Sequence, residues 1–113
     1  MTKGDLIIFK KVLREIDYLE GVLGEIKTRE KFIGNETVRR AVAMTLINIG
    51  ELARNVNMET RKSINHIPFR KIIGMRDVAA HGYLRLDFEA IWITITQDVP
   101  QLKEQLQDIL SVT

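Results

Sequence analysis

The chain has 113 residues, a length typical of a single domain that buries a hydrophobic core without stabilising disulfides or metals. It contains no cysteine, which excludes disulfides, thiolate catalysis and zinc-cysteine sites, and its formal net charge is only +2. No apolar run is long enough to span a membrane, and the N-terminus lacks the layout of a signal peptide, so we expect a soluble, cytoplasmic protein.

Apolar residues recur at helical spacing along almost the whole chain. Two prolines and seven glycines provide little turn material, which argues against β-rich architectures. We therefore predict an all-α fold: an up-down helical bundle of four main helices plus one short helical turn, forming a single domain over residues 1–113.

The first half of the chain is predicted to contain two long helices. Residues 5–27 carry one apolar stripe at steps of three and four, and a loop is expected over residues 28–34. Asn35 is a good N-cap for the second helix, residues 36–56. Gly50 in that helix would let a neighbouring helix approach closely.

A short turn and a third helix are predicted next. Asn57 can cap the turn over residues 58–63, and Pro68 is placed as the first residue of the third helix. Gly82 has the position of a C-terminal stop, which predicts that this helix ends at His81.

The last predicted helix follows Asp87, which can cap it, and continues to about residue 111. Pro100 lies inside this helix and removes one backbone donor. We therefore expect a kink or a break near Val99.

Most of the chemically versatile side chains lie in residues 74–83, with the sequence Gly-Met-Arg-Asp-Val-Ala-Ala-His-Gly-Tyr. Arg76 is a permanent cation, His81 titrates near neutrality, and Tyr83 offers a hydroxyl. Asp77 and His81 are four residues apart, so the carboxylate can orient the imidazole and raise its pKa. Arg76 and His81 are five apart and diverge by roughly 140° unless the helix ends at His81. These residues are suited to handling phosphate.

The pattern R-x-x-x-x-H-x-Y, formed by Arg76, His81 and Tyr83, resembles the signature of the HEPN superfamily, and closely that of its HepT branch. Other strings agree in type and order: Ile49-Gly50-Glu51, Gly74-Met75-Arg76, and Ile91-Trp92 followed by Asp98-Val99-Pro100-Gln101-Leu102. The agreement extends from about residue 36 to the end of the chain. One departure is Asp77, which stands where many relatives carry Asn.

These residues fit metal-independent cleavage of RNA. A base takes the proton of a ribose 2′-hydroxyl, the oxygen attacks the adjacent phosphorus, and a cation offsets the developing charge. His81 would be the base or the acid and Arg76 the cation, whereas DNA lacks the 2′-hydroxyl and would be inert. No cluster has metal-ligand spacing, so neither a metal nor another cofactor is expected.

One histidine cannot easily be both acid and base in the same step. A second His81 from a symmetry mate is the simpler supply, and the resemblance implies a two-fold homodimer with two Arg76 and two His81 around one cleft. A higher assembly stays open.

The resemblance gives Tyr83 an interpretation beyond a hydrogen bond across the site. In the HepT family the tyrosine at this position accepts AMP groups from a partner nucleotidyltransferase, which acts as the antitoxin. The resemblance thus implies a ribonuclease toxin whose cleft would repel RNA once Tyr83 carries bulky negative phosphates.

Basic residues are concentrated before the motif. Nine basic residues face four acidic ones between residues 29 and 71, whereas three face six after residue 71. A basic surface beside a phosphate-handling site suggests nucleic acid, with the candidate RNA contacts Arg39, Arg40, Arg70 and Lys71. A solvated helix face is the alternative interpretation.

Other interpretations of the motif remain open. Arg76 could be a buried salt-bridge partner of Glu51, and His81 could be a helix cap that interacts with the dipole. The rival function is a non-catalytic binding or regulatory subunit of a nucleotidyltransferase, which would use Arg76 only to hold a nucleotide or phosphate. A purely structural bundle would leave the clustered motif unexplained.

Overall fold

All regular secondary structure in the computed structural model is helical over the residues that the structure describes, 1–112. The helices are α1 (Lys3–Leu23), α2 (Arg29–Ile33), α3 (Glu36–Ala53), α4 (Met58–Ser63), α5 (Phe69–Leu84), α6 (Phe88–Ile93) and α7 (Val99–Ser111), with a π-helical segment at Thr94–Asp98. The prediction of an all-α bundle with four main helices is confirmed, because α6, the π-helical segment and α7 follow one another without a loop. None of the helices within residues 1–112 is long and apolar enough to cross a membrane.

The core lies around α3, which packs against α1 on one side and α5 on the other, while α7 also contacts α1. Its largest fully buried side chains include residues of α1, α2, α3, α6 and α7, among them Phe9, Ile16, Phe32, Leu46, Ile49, Ile91 and Leu106. The helical spacing of these apolar residues is what brings them to one side of each helix.

The first helix begins two residues earlier and ends four residues earlier than predicted. Thr2 caps it, because its hydroxyl accepts from the Asp5 backbone N–H at 3.0 Å while the Asp5 carboxylate accepts from the Thr2 N–H at 3.1 Å. Asp5 is 3% exposed and also accepts from the Asn57 N–H at 3.0 Å and the Thr60 hydroxyl at 2.5 Å. Asp5, which was predicted to be the first residue of this helix, therefore links α1 to α4 through hydrogen bonds.

The prediction of a loop over residues 28–34 was wrong, because this segment contains α2. Thr28 caps the helix by accepting from the Lys31 N–H at 3.2 Å. Phe32 is fully buried and packs against Trp92, with ring centroids 5.4 Å apart. A helix of five residues is too short to show an apolar period, and burial of Phe32 stabilises it.

Three predicted caps and one predicted close approach are confirmed. Asn35, Asn57 and Asp87 each accept a backbone N–H in the first turn of the following helix, at 3.1, 2.8 and 3.3 Å. A Cβ on Gly50 would lie 2.9 Å from both the Cβ of Arg76 and the backbone oxygen of Ile73. Helices α3 and α5 can thus pack closely only because residue 50 has no side chain.

The third predicted helix, α5, does not end at His81. It begins after Pro68, which is its N-cap, and continues to Leu84. Gly82 is buried in the last turn, where a Cβ would lie 3.0 Å from both Cγ1 of Ile91 and the backbone oxygen of Asp87. Gly82 therefore permits close packing against α6 rather than stopping the helix.

The expected irregularity around Pro100 takes the form of the π-helical segment. Its widened turn lets the backbone N–H of Val99 donate to Thr94 O, five residues back. The hydroxyls of Thr94 and Thr96 donate to the carbonyl oxygens of Ala90 and Trp92, at 3.0 and 2.8 Å. The chain thereby continues into α7 although Pro100 has no backbone N–H to donate.

Candidate active site on the fifth helix

Arg76 projects from α5 towards α3, where Glu51 holds it. Its Nε lies 2.7 Å from Oε1 of Glu51, and one of its terminal nitrogens lies 3.4 Å from the Asp77 carboxylate. Arg54 approaches the same Glu51 oxygen at 3.4 Å. The proposed salt bridge is confirmed, but it is not buried, since the Arg76 and Glu51 side chains are 49% and 44% exposed. The guanidinium is therefore oriented and still accessible.

Asp77 contacts Arg76 rather than His81. The carboxylate and the imidazole have the predicted i and i+4 spacing, yet no hydrogen bond joins them anywhere in the described part of the chain. The expected orientation of His81 by Asp77 is therefore wrong for this structure. The guanidinium on the adjacent residue is permanently charged and presents several N–H donors, which makes it a strong partner for a carboxylate.

His81 is exposed and lines a cavity of about 190 Å³ with Arg85, Asp87 and Ala90. Because α5 continues unbroken past His81, the five-residue spacing turns this side chain roughly 140° away from Arg76. The packing agrees, since Arg76 contacts α3 whereas the cavity at His81 opens towards α6. One chain alone does not unite the two groups.

Tyr83 lies in the last turn of α5, partly buried between one aromatic and one cationic neighbour. Its ring packs edge-on against Phe88 with centroids 6.0 Å apart, and the Arg40 guanidinium carbon lies 5.5 Å from its centroid. Within residues 1–112 the phenol hydroxyl has no hydrogen-bond partner. The ring is thus fixed while the hydroxyl is left for another group.

Comparison with known proteins decides the family. The family model described as "Ribonuclease HepT-like" matches residues 12–109. The chain belongs to the HepT-like ribonuclease family. This finding confirms the resemblance that the motif predicted.

Several curated proteins are similar to this HepT-like chain over most of its length. One from Methanocaldococcus jannaschii, named "Putative RNase", is 30% identical over 112 residues, covering 97% of this chain and 91% of the relative. Another with that name, from Caldanaerobacter subterraneus, is 34% identical over 100 residues, 88% of each chain. "Probable ribonuclease HepT" from Thermococcus cleftensis is 30% identical over 102 residues, 82% of this chain and 93% of its own. No solved structure matches the chain significantly.

The four cations predicted to bind RNA separate into two groups in this HepT-like fold. Arg39 is partly buried, with its guanidinium 4.4 Å from the centroid of Phe88 and a hydrogen bond to a backbone oxygen, and Lys71 pairs with Asp98 at 2.9 Å. Arg40 is exposed and pairs with Glu36 at 3.0 Å, while Arg70 is exposed without an ion-pair partner among the described residues. Arg39, Arg40 and Lys71 therefore have structural contacts that would compete with RNA, whereas Arg70 does not.

An apolar groove of about 310 Å³ separates the outer faces of α3 and α5. Its lining residues include Ala43, Met44, Ile47, Ala80 and Leu84. Met44 is 57% exposed and Leu84 is 81% exposed, although both are apolar. Arg40 and Tyr83 stand at this groove, so the family motif borders an apolar surface.

Sequence reasoning missed one cation beside the histidine. Arg85 follows His81 by four residues and lines the same cavity. The i and i+4 spacing of His81 and Arg85 could have indicated that they are neighbours on one helix face. Because the helix was expected to end at His81, this spacing was not interpreted. The continuation of α5 to Leu84 places Arg85 at its C-cap.

Proposed function

We propose that this HepT-like chain is a metal-independent endoribonuclease toxin of a toxin-antitoxin pair. The catalytic groups are Arg76 and His81 from both protomers of a homodimer, and AMP addition to Tyr83 by a nucleotidyltransferase antitoxin switches the activity off. RNA is the substrate because the reaction needs the ribose 2′-hydroxyl.

The reaction proceeds by attack within the RNA. One His81 accepts the proton of the 2′-hydroxyl as its oxygen bonds to the adjacent phosphorus, and the bond to the 5′-oxygen breaks. The His81 of the partner subunit donates a proton to that leaving oxygen. Arg76 offsets the negative charge that develops on the non-bridging oxygens. The products are a 2′,3′-cyclic phosphate end and a 5′-hydroxyl end.

The observation that carries this proposal is the divergence of Arg76 and His81 on one unbroken helix. Arg76 is held by Glu51 at 2.7 Å, whereas His81 is exposed on the side of α6. A monomer therefore lacks a complete site. A second copy seated on the outer face of α5 supplies the missing group from its own motif.

The apolar groove between α3 and α5 supports a second copy as the occupant of this face. Met44 and Leu84 are largely exposed there, which is costly for a free surface and typical of an interface. The groove also borders Tyr83 and Arg40. Packing on this face would keep the motif residues at the edge of the interface, where RNA can enter.

The surroundings of Tyr83 support the regulatory part of the proposal. Its hydroxyl is without a partner among the described residues, and its ring is held by Phe88 and Arg40. AMP attached to this oxygen adds negative phosphate and a nucleoside beside the cleft. RNA would then be repelled and excluded by volume.

The deciding experiment incubates the purified chain, free of any partner, with a defined short RNA and a mixed tRNA pool in EDTA. We expect cleavage with 2′,3′-cyclic phosphate ends, and loss of cleavage in His81→Ala. His66→Ala is the matched control, since the only other histidine lies outside the motif. A folded dimer that cleaves neither RNA would instead support the binding-subunit function, with the chemistry in the nucleotidyltransferase.

A further inference from the structure

A polar groove of about 410 Å³ lies between α1 and α3 and is separate from the apolar groove. Lys11 and Arg14 line it from α1, and the amides of Asn48 and Asn55 line it from the side of α3. Lys11 and Arg14 are three residues apart on a helix and so share one face. The α1 side of this groove lies in the part of the chain that carries no recognisable motif.

The electrostatic balance of the groove favours an anion. Glu51 is paired with two arginines at 2.7 and 3.4 Å, whereas Glu15 accepts only from the neutral Asn48 amide at 2.8 Å and so keeps its negative charge. Lys11 and Arg14 have no ion-pair partner within residues 1–112. Two exposed cations thus face one uncompensated carboxylate, and the groove is positive on balance.

Glu51 connects the groove to the candidate active site. The same carboxylate that lines the groove holds Nε of Arg76 at 2.7 Å. A strand of phosphates that passes Arg76 can therefore continue along α3 towards Lys11 and Arg14. A mononucleotide would contact one end of this surface only, whereas a polymer contacts all three cations.

We infer that the groove between α1 and α3 binds the phosphate backbone of RNA beside the cleaved position, with Lys11 and Arg14 each contacting a phosphate. This inference rests on the proposed ribonuclease function. The side-chain amide nitrogens of Asn48 and Asn55 donate to Glu15 and to the Glu51 backbone oxygen at 2.8 and 3.1 Å, and each retains a second N–H for a phosphate or sugar oxygen. Contacts of this kind supply affinity and register without sequence preference.

The test compares Lys11→Gln/Arg14→Gln with Lys27→Gln/Lys62→Gln, which removes the same charge from exposed positions outside the groove. Fluorescence anisotropy measures the Kd for a 2′-O-methylated RNA of about 12 nucleotides, which cannot be cleaved, at several salt concentrations. We expect the groove variant to bind about tenfold more weakly and to lose about 1.4 from the slope of log Kd against log salt. The control should stay within about twofold of the unmodified chain.

The length of the RNA gives a second readout. On cleavable RNA, the groove variant should raise KM and leave kcat unchanged. That difference should disappear when the RNA is trimmed to about four nucleotides, because the flanking phosphates are then missing.

The outcomes separate this inference from the proposed function. Three results would contradict RNA binding in the groove. These are equal affinity of the groove variant and the unmodified chain, an equal loss of affinity in both double variants, and no RNA binding at all. Cleavage that depends on His81 would still support the ribonuclease in the first two cases. Binding that depends on the groove, without any cleavage, would keep the groove as an RNA site and overturn the ribonuclease.

Discussion

At the residue scale, the contact between Arg76 and Glu51 illustrates how a weak interaction can matter for chemistry. Both side chains are nearly half exposed, so the ion pair adds only about 0–1 kcal/mol to stability. Its geometry has a larger consequence, because a guanidinium held through Nε by Glu51 and through one terminal nitrogen by Asp77 keeps the other terminal nitrogen free for phosphate oxygens. Glu51 thus acts as a positioning residue, as Asp77 does from the other side at 3.4 Å.

Asp5 links the stability of the fold to pH. Burial of the carboxyl raises its pKa, but hydrogen bonds from the Asn57 N–H, the Thr60 hydroxyl and Thr2 outweigh that effect and lower the pKa from 3.8 to about 2. Because the folded-state pKa lies below the unfolded value, this stabilisation is complete above pH 3.8 and is lost as the pH falls towards 2.

We predict that Asp5→Asn lowers the free energy of unfolding by about 1–3 kcal/mol at neutral pH, since the amide has only one acceptor oxygen. Urea unfolding at several pH values measures the effect, which should shrink as the pH falls from 3.8 to 2. Asp108→Asn, on the exposed side of α7, is the control. An Asp5→Asn penalty that persists unchanged at the lowest pH would contradict the assigned pKa.

At the scale of elements, the contact between α3 and α5 positions the candidate site. At Gly50 the two backbones approach closely, with Arg76 directly opposite. Gly82 has the same role between α5 and α6, where Ile91 and Asp87 leave no space for a Cβ. Both glycines allow a neighbouring helix to pack closely against α5, with α3 on the side of Gly50 and α6 on the side of Gly82.

We predict that Gly50→Ala destabilises the fold by about 1–3 kcal/mol and also lowers cleavage, because the added Cβ must move α5 and with it Arg76. Gly21→Ala in α1 is the matched control, since a Cβ added at Gly21 would meet no atom within 4 Å. It should instead stabilise the helix by roughly 0.5–1 kcal/mol. Chemical denaturation of both variants tests this, and a Gly50→Ala protein as stable as the parent would show that α5 adjusts freely.

At the scale of the whole molecule, the divergence of Arg76 and His81 makes the composite site testable without a structure of the dimer. Arg76→Ala and His81→Ala should each abolish cleavage. When the unmodified chain is mixed with the double variant Arg76→Ala/His81→Ala under conditions that allow subunit exchange, each heterodimer retains only one His81, which cannot be both base and acid. We predict that cleavage of the same RNA falls with the square of the fraction of unmodified chain.

The control for that mixture is the unmodified chain combined with His66→Ala, which keeps Arg76 and His81 in both protomers. Its cleavage should stay unchanged. Cleavage that falls only in proportion to the fraction of unmodified chain, despite demonstrated subunit exchange, would place a complete site within one protomer.

The sequence by itself determined the helical architecture and the identity of the motif. The apolar spacing predicted the long helices, and short polar side chains at Asn35, Asn57 and Asp87 predicted caps that the structure confirms. Gly50 was recognised as a point of close approach. These features depend on neighbours within three or four residues, which a sequence displays directly.

Only the tertiary structure decided the features that depend on distant contacts. The segment predicted as a loop forms a helix because Phe32 packs on Trp92. Helix α5 continues past the predicted stop at Gly82, where Ile91 packs closely against the glycine. The polar groove likewise exists only because α1 lies beside α3. Local spacing does not encode such contacts, since packing joins residues that are far apart in the chain and selects among conformations that are locally equivalent.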